Sequence, residues 1–143
     1  MNGNKEQNNW RKDIIGILKD KEFKYSDQTW VPLYRDDANP KDCFKKSNII
    51  AWKNKVTIII EIEKDTSPKN LIGTVWSVNI SNCYKIKKGD LKPLNDISLF
   101  IIIPEMSETT KEQIKTIKTY FKIGEGSLKD FKIVTIEEFE NLL

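Results

Sequence analysis

Two glutamates, Glu61 and Glu63, close the run Val56-Thr57-Ile58-Ile59-Ile60-Glu61-Ile62-Glu63, which is otherwise apolar or β-branched. Such a composition predicts a strand, where residues two apart point to the same face with backbones roughly 6.6 Å apart. If both carboxylates are ionised, Coulomb's law at an effective dielectric near 20 gives a mutual repulsion of about 2 to 3 kcal/mol. That is large beside a typical net stability of about 5 to 15 kcal/mol. A cation, a lysine or solvent must relieve it. One reading is a carboxylate pair poised to hold a divalent metal, with Lys64 next in the chain. The other is a strand that emerges into water at Glu61, leaving Glu61, Glu63, Lys64 and Asp65 as ordinary surface charges.

The chain has no histidine. This excludes His-activated nucleophiles and His-ligated metal nucleases and leaves carboxylate and lysine for acid, base or metal work. Hard oxygen ligands select magnesium, manganese or calcium over zinc. Cys43 and Cys83 lack metal or redox spacing and read as free thiols in a reducing compartment. A net charge of +3 does not by itself announce a nucleic-acid partner. Its lysines do cluster: Lys41, Lys45, Lys46, Lys53 and Lys55 flank one predicted hairpin, and Lys85, Lys87, Lys88 and Lys92 crowd one connection. Two patches facing a phosphate backbone would look like this, and so would a solvated lysine-rich surface.

The elements that must position these residues follow from periodicity. Trp10, Ile14, Ile17 and Leu18 recur at helical spacing and predict an amphipathic helix over about 6–21, after a frayed start at 1–5. The stretch Gln28 to Tyr34 has strand composition, which Pro32 demotes to an edge strand or extended arm, and Asp36 to Asp42 reads as a loop. Asn48 to Trp52 and Val56 to Glu63, separated by Lys53-Asn54-Lys55, form the clearest hairpin. Ser67-Pro68 supplies a cap and a first helical proline, and Leu71, Ile72, Val75, Trp76 and Val78 make a broad apolar stripe that predicts a buried helix. A basic loop with Gly89 leads to Ile97 to Ile103, an apolar run typical of a strand covered on both faces. Thr109-x-x-Glu112 predicts a capping box before a helix carrying Ile114, Ile117 and Phe121, which stops before Gly124. Phe131 to Val134 is a short last strand, and Thr135 to Glu138 repeats the capping-box spacing ahead of a terminal helix. The order α-β-β-β-α-β-α-β-α predicts an α/β fold with a mixed sheet and helices on both faces.

The stretch Ser47-Asn48-Ile49-Ile50-Ala51-Trp52, a lysine-rich turn, then Thr57-Ile58-Ile59-Ile60-Glu61-Ile62-Glu63-Lys64 and a Ser-Pro-initiated helix resembles the core of the PD-(D/E)xK nuclease superfamily. The element order resembles that family's shared core over about residues 6–135, so the resemblance implies a restriction-endonuclease-like fold. It implies a divalent-metal-dependent DNA endonuclease that hydrolyses phosphodiester bonds with magnesium or manganese. Glu61 matches the family's first acidic position on this strand, and Glu63 falls where a lysine usually stands. On this mapping Glu61 ligates metal, Glu63 ligates metal or orients water, and Lys64 or Lys69 contacts phosphate. Where the family's Pro-Asp would lie, this chain has Ser47-Asn48, and an amide is a poorer ligand for a divalent cation than a carboxylate. Asp42 from the preceding loop or Glu6 on the first helix are substitute ligands in this scheme. Asn48 marks either natural decay of the site or an Asp→Asn replacement that silences it.

One domain over 1–143 is the expectation for this length, and no apolar run approaches the length needed to cross a bilayer. The polar start Met1 to Gln7 lacks the layout of a secretion signal, so the chain is expected in the cytoplasm. The partner implied is DNA, contacted by Lys45, Lys46, Lys69, Lys87 and Lys88, with a homodimer or partner subunit supplying what a small chain lacks. The alternative is a non-catalytic protein of the same fold that binds nucleic acid or another chain. A small-molecule α/β protein has no Gly-rich phosphate-cradling loop to support it.

Overall fold

The computed structural model describes residues 2–27, 29–32, 43–47, 49–80, 83–86, 91–93, 96–120, 126 and 128–143. Along the chain the elements are α1 (Asn2–Asp20), β1 (Lys24–Ser26), β2 (Thr29–Pro32), β3 (Cys43–Ser47), β4 (Ile49–Lys53), β5 (Val56–Ile62), α2 (Pro68–Ile80), β6 (Cys83–Ile86), β7 (Leu91–Pro93), β8 (Ile97–Ile102), α3 (Glu108–Tyr120), β9 (Leu128–Val134) and α4 (Ile136–Leu142). Among the described residues the strands form a five-stranded sheet, ordered β1-β4-β5-β8-β9, and a four-stranded one, ordered β3-β2-β6-β7.

The main sheet is mixed. β1, β4 and β5 run antiparallel in turn, while β8 is parallel to β5 and β9 is parallel to β8. Each parallel step needs a crossover helix. Both crossovers, β5-α2-β8 and β8-α3-β9, step the same way across the sheet, so right-handed connection puts α2 and α3 on one face. There Leu71, Val75 and Ile117 pack with Ile50, Ile59, Leu99, Ile101 and Phe131. On the other face Ile14 and Leu18 of α1 and Phe139 of α4 pack with Ile49, Ile58, Ile60, Phe100 and Ile102. Strand alternation explains the division: Ile59 goes one way, Ile58 and Ile60 the other. Burial on both faces is why β5 and β8 are largely apolar or β-branched on both sides. Each such side chain contributes about 1.5 to 3 kcal/mol by leaving water.

Several local expectations are met. Thr135 caps α4 with the full reciprocal box to Glu138. Ser67 Oγ accepts from Asn70 N at 3.4 Å, and α2 begins at Pro68. The β4-β5 hairpin forms with a tighter turn than the spacing implied, since Lys53 pairs with Val56 and only Asn54 and Lys55 lie between. Asn54 takes the left-handed conformation, φ 54°, which asparagine tolerates better than most residues.

Other expectations are corrected. The helix predicted from about residue 6 starts at Asn2. The first strand of the main sheet is β1 and not the 28–34 stretch, which supplies β2 of the second sheet. There β2 is interior, between β3 and β6. Pro32 is accommodated because it ends the strand, at a register shift between Val31 and Pro32 where a missing N–H breaks no regular ladder. The connection read as a basic loop contains β6 and β7, which pair antiparallel. The last strand starts three residues before Phe131, at Leu128. The cap of α3 is Ser107 and not Thr109: Ser107 Oγ accepts from Thr110 N at 3.1 Å, and Thr109 already lies inside the helix. The apolar stripe of α2 divides, with Leu71, Val75 and Val78 buried and Ile72 and Trp76 exposed by 43% and 50%. It is wider than the contact it makes with the sheet. The expected loop 36–42, Phe121 and Gly124 lie outside the described residues.

One close approach ties α2 to β9. Asn79 Oδ1 accepts from Leu128 N at 3.3 Å, and a Cβ at Gly126 would collide with the Asn79 backbone carbonyl. Only glycine fits there.

Candidate functional site

Glu61 sits one residue before the end of β5, opposite Ile101 of β8, on the face covered by α2. It is 1% exposed. Burying an ionised carboxylate costs several kcal/mol unless another group or an ion compensates it. The β5-β8 ladder carries on past Ile62, for Glu63 N donates to Ile102 O at 2.9 Å. Alternation therefore aims Glu63 toward α2 as well. There Asn70 Nδ2 donates to Glu63 Oε2 at 3.0 Å and the Thr74 hydroxyl donates to Glu63 Oε1 at 2.9 Å. Asn70 and Thr74 are four apart on the helix and so share one face.

The loop before α2 is pinned to the same group. Asn70 Nδ2 also donates to the Asp65 carbonyl at 2.7 Å, and Ser67 N donates to Asp65 Oδ1 at 2.9 Å. The Ser67 backbone and hydroxyl groups hold the Asp65 carboxyl below its ordinary value. Asn70 and Thr74 line an open cavity of about 580 Å³, together with Asp65, Lys69, Gly73 and Trp76. The candidate carboxylate Glu63 is therefore bonded directly to two residues of that wall.

Lys64 goes to the opposite face, as alternation requires, with its Nζ 5.7 Å from the centroid of Trp10 on α1. Trp10 packs at the margin of the α1-side core. Lys69 is at the cavity, and Lys45 and Lys46 lie on β3. Asn48, Asp42, Lys41, Lys87 and Lys88 lie outside the described residues, and Glu6 is placed only as a residue of α1. The chain neighbour of Asn48, Ile49, pairs with Ile60, the chain neighbour of Glu61. Among the described residues no three His, Cys, Asp or Glu side chains come together as a metal-holding group. No family model, curated protein or solved structure matches this chain. Its site is read from its own geometry.

Asn70 and Thr74 escaped the sequence reading, although a signal was present. Thr74 and Ser77 interrupt the apolar run of α2 and are 4% and 3% exposed, and polar residues buried within an apolar helix face need partners. Ser77 Oγ finds the Thr74 carbonyl at 2.9 Å, while Thr74 finds Glu63.

The second sheet brings together segments that are distant in sequence. Lys46 of β3 pairs with Trp30 of β2, and Trp30 pairs with Lys85 of β6. The two lysine-rich segments thus flank one strand.

Among the described residues no helix is long and apolar enough to cross a membrane.

Proposed function

We infer that this chain is a restriction-endonuclease-like protein whose carboxylate pair serves divalent-metal-dependent phosphodiester hydrolysis on DNA. The observation that carries this reading is the pair itself. Glu61 and Glu63 share one face at the end of β5, one buried and the other bonded to Asn70 and Thr74 of α2, which line an open cavity. A solvated strand end would need neither the burial nor the two hydrogen bonds. The strand arrangement supports the same reading, since an antiparallel β1-β4-β5 unit followed by a helix and a parallel strand is the core the resemblance implies.

Glu61 and Glu63 offer hard oxygen donors, and proteins hold magnesium with as few as one or two carboxylates, water and phosphate completing the shell. The residues fit that ion. When bound, it supplies polarisation of the scissile phosphate and an acidified water. Glu63 would hold its carboxylate in one orientation, and Lys69 would offset phosphate charge at the cavity. On the mapping of the resemblance Asn48 would offer an amide where a carboxylate would bind a cation better, which would make the chain a weak or silent nuclease.

The test is plasmid cleavage with magnesium or manganese by this chain and by its Asn48→Asp variant. Cleavage by either, abolished by Glu61→Gln, supports the reading. Absence of cleavage by both, together with salt-sensitive DNA binding, replaces it with a non-catalytic DNA-binding protein. The pairing of β2 with lysine-bearing β3 and β6 favours that second reading, because it gathers two lysine-rich segments into one sheet.

A further inference from the structure

We propose that the cavity along α2 between Lys69 and Trp76 seats one unpaired nucleotide of a DNA strand, with its base stacked on Trp76 and a neighbouring phosphate at Lys69. The inference rests on the DNA reading, in its nuclease or its non-catalytic form, and needs no cation. Lys69, Gly73 and Trp76 are spaced i, i+4, i+7 and so share one stripe of the helix. The ends of that stripe are about 10.5 Å apart along the axis. All three residues line the open cavity of about 580 Å³. Asn70 and Thr74, which also line it, bond Glu63, which sets the seat next to the carboxylate pair.

Trp76 is 50% exposed at this wall, with Gly73 one turn before it. A glycine inside a helix costs stability relative to alanine. Packing does not require one here, since a Cβ at Gly73 would meet nothing within 4 Å. Its bare backbone keeps the space beside Trp76 open. A docking face for another protein would be apolar at its centre. Among the described residues that line this cavity, all but Gly73 and Trp76 are polar, and Lys69 is their cation. The Asp65 carboxyl on the same rim is engaged by the Ser67 N–H at 2.9 Å. An aromatic platform in polar surroundings, with a lysine two turns away, suits an unstacked base and its phosphate. Bases in a duplex are already paired and stacked, so the seat selects single-stranded or extruded nucleotides.

The experiment is fluorescence anisotropy with EDTA present, so that cleavage cannot intervene. The probes are a labelled oligothymidylate and a strand of equal length made of abasic deoxyribose phosphates. Trp76→Ala, Gly73→Leu and Lys69→Ala are compared with the parent across a salt series, with circular dichroism to check the fold. Gly73→Leu fills the space while keeping Trp76 and Lys69, and it raises helix propensity, so it decides the matter should Trp76→Ala fold poorly. The expected result is a parent preference for the base-bearing strand of about 5- to 150-fold, which Trp76→Ala and Gly73→Leu both remove. Lys69→Ala should weaken binding of both strands and lower the slope of log affinity against log salt by about 0.7. A parent without that preference, variants that keep it, or an unchanged salt slope in Lys69→Ala overturns the seat. The DNA reading then stands if duplex DNA still binds, and falls with the seat if no DNA binds at low salt.

Discussion

Glu61 and Glu63 lie two residues apart on the same face of one strand, yet the first is 1% exposed while the second is braced by Asn70 and Thr74 from α2. If they serve one ion, they act as a unit. Mn2+ titration should then show large losses in Glu61→Gln and in Glu63→Gln, with the double variant no weaker than the worse single. Additive losses would mean independent sites.

Leu71 and Ile72 are chain neighbours with opposite fates, fully buried and 43% exposed. Leu71→Ala should cost about 2 to 5 kcal/mol in urea denaturation, as cavity-forming changes do. Ile72→Ala should cost much less, about 1 kcal/mol or under, because half of its surface already meets water. Equal costs would contradict the division of the α2 stripe.

The cap of α3 is open to an equally direct comparison. Ser107→Ala removes an acceptor from Thr110 N and should lower stability by about 0.5 to 2 kcal/mol. Thr109→Ala, inside the first turn, should be near neutral. Denaturation midpoints of the two variants decide between them.

Asp130 predicts a specific acid response. Burial pushes its carboxyl up, but the Ser98 hydroxyl and Lys132, whose ammonium lies 3.0 Å away, outweigh that and hold it below its ordinary value of 3.8. A carboxyl depressed in the folded state adds stability that is fully present above its unfolded value and is lost as pH falls through the folded one. The advantage of the parent over Asp130→Asn should therefore hold at neutral pH and shrink below about pH 4. Chemical denaturation across that range measures it, and a gap unchanged at pH 2 to 3 would remove the assignment.

Phe139 anchors α4 by an edge-on contact with Phe100, centroids 5.1 Å apart, and is fully buried. Phe139→Ala should cost about 3 to 5 kcal/mol. Thermal melts and protease susceptibility of the C-terminal helix check this. A loss under about 1 kcal/mol would mean the helix contributes little.

Much of the α/β layout was already written in periodicity. The β-branched run of Val56–Ile62, the apolar run of Ile97–Ile102 and the Ser67-Pro68 and Thr135-x-x-Glu138 signals each express a local rule, so each is legible without a partner. The placement of Glu61 and Glu63 on one face follows from the same period of two. What local rules leave open is which strand pairs with which. β2 has the composition of an edge and sits inside a second sheet, because pairing energy depends on strands far along the chain. The capping-box spacing pointed to Thr109, but the backbone path puts Ser107 at the cap and Thr109 inside the helix, which no spacing rule alone decides. Asn70 and Thr74 gained their role in the same way. Nothing in a helix sequence says which acid its polar face will meet, and that was decided when the right-handed crossover laid α2 beside the end of β5.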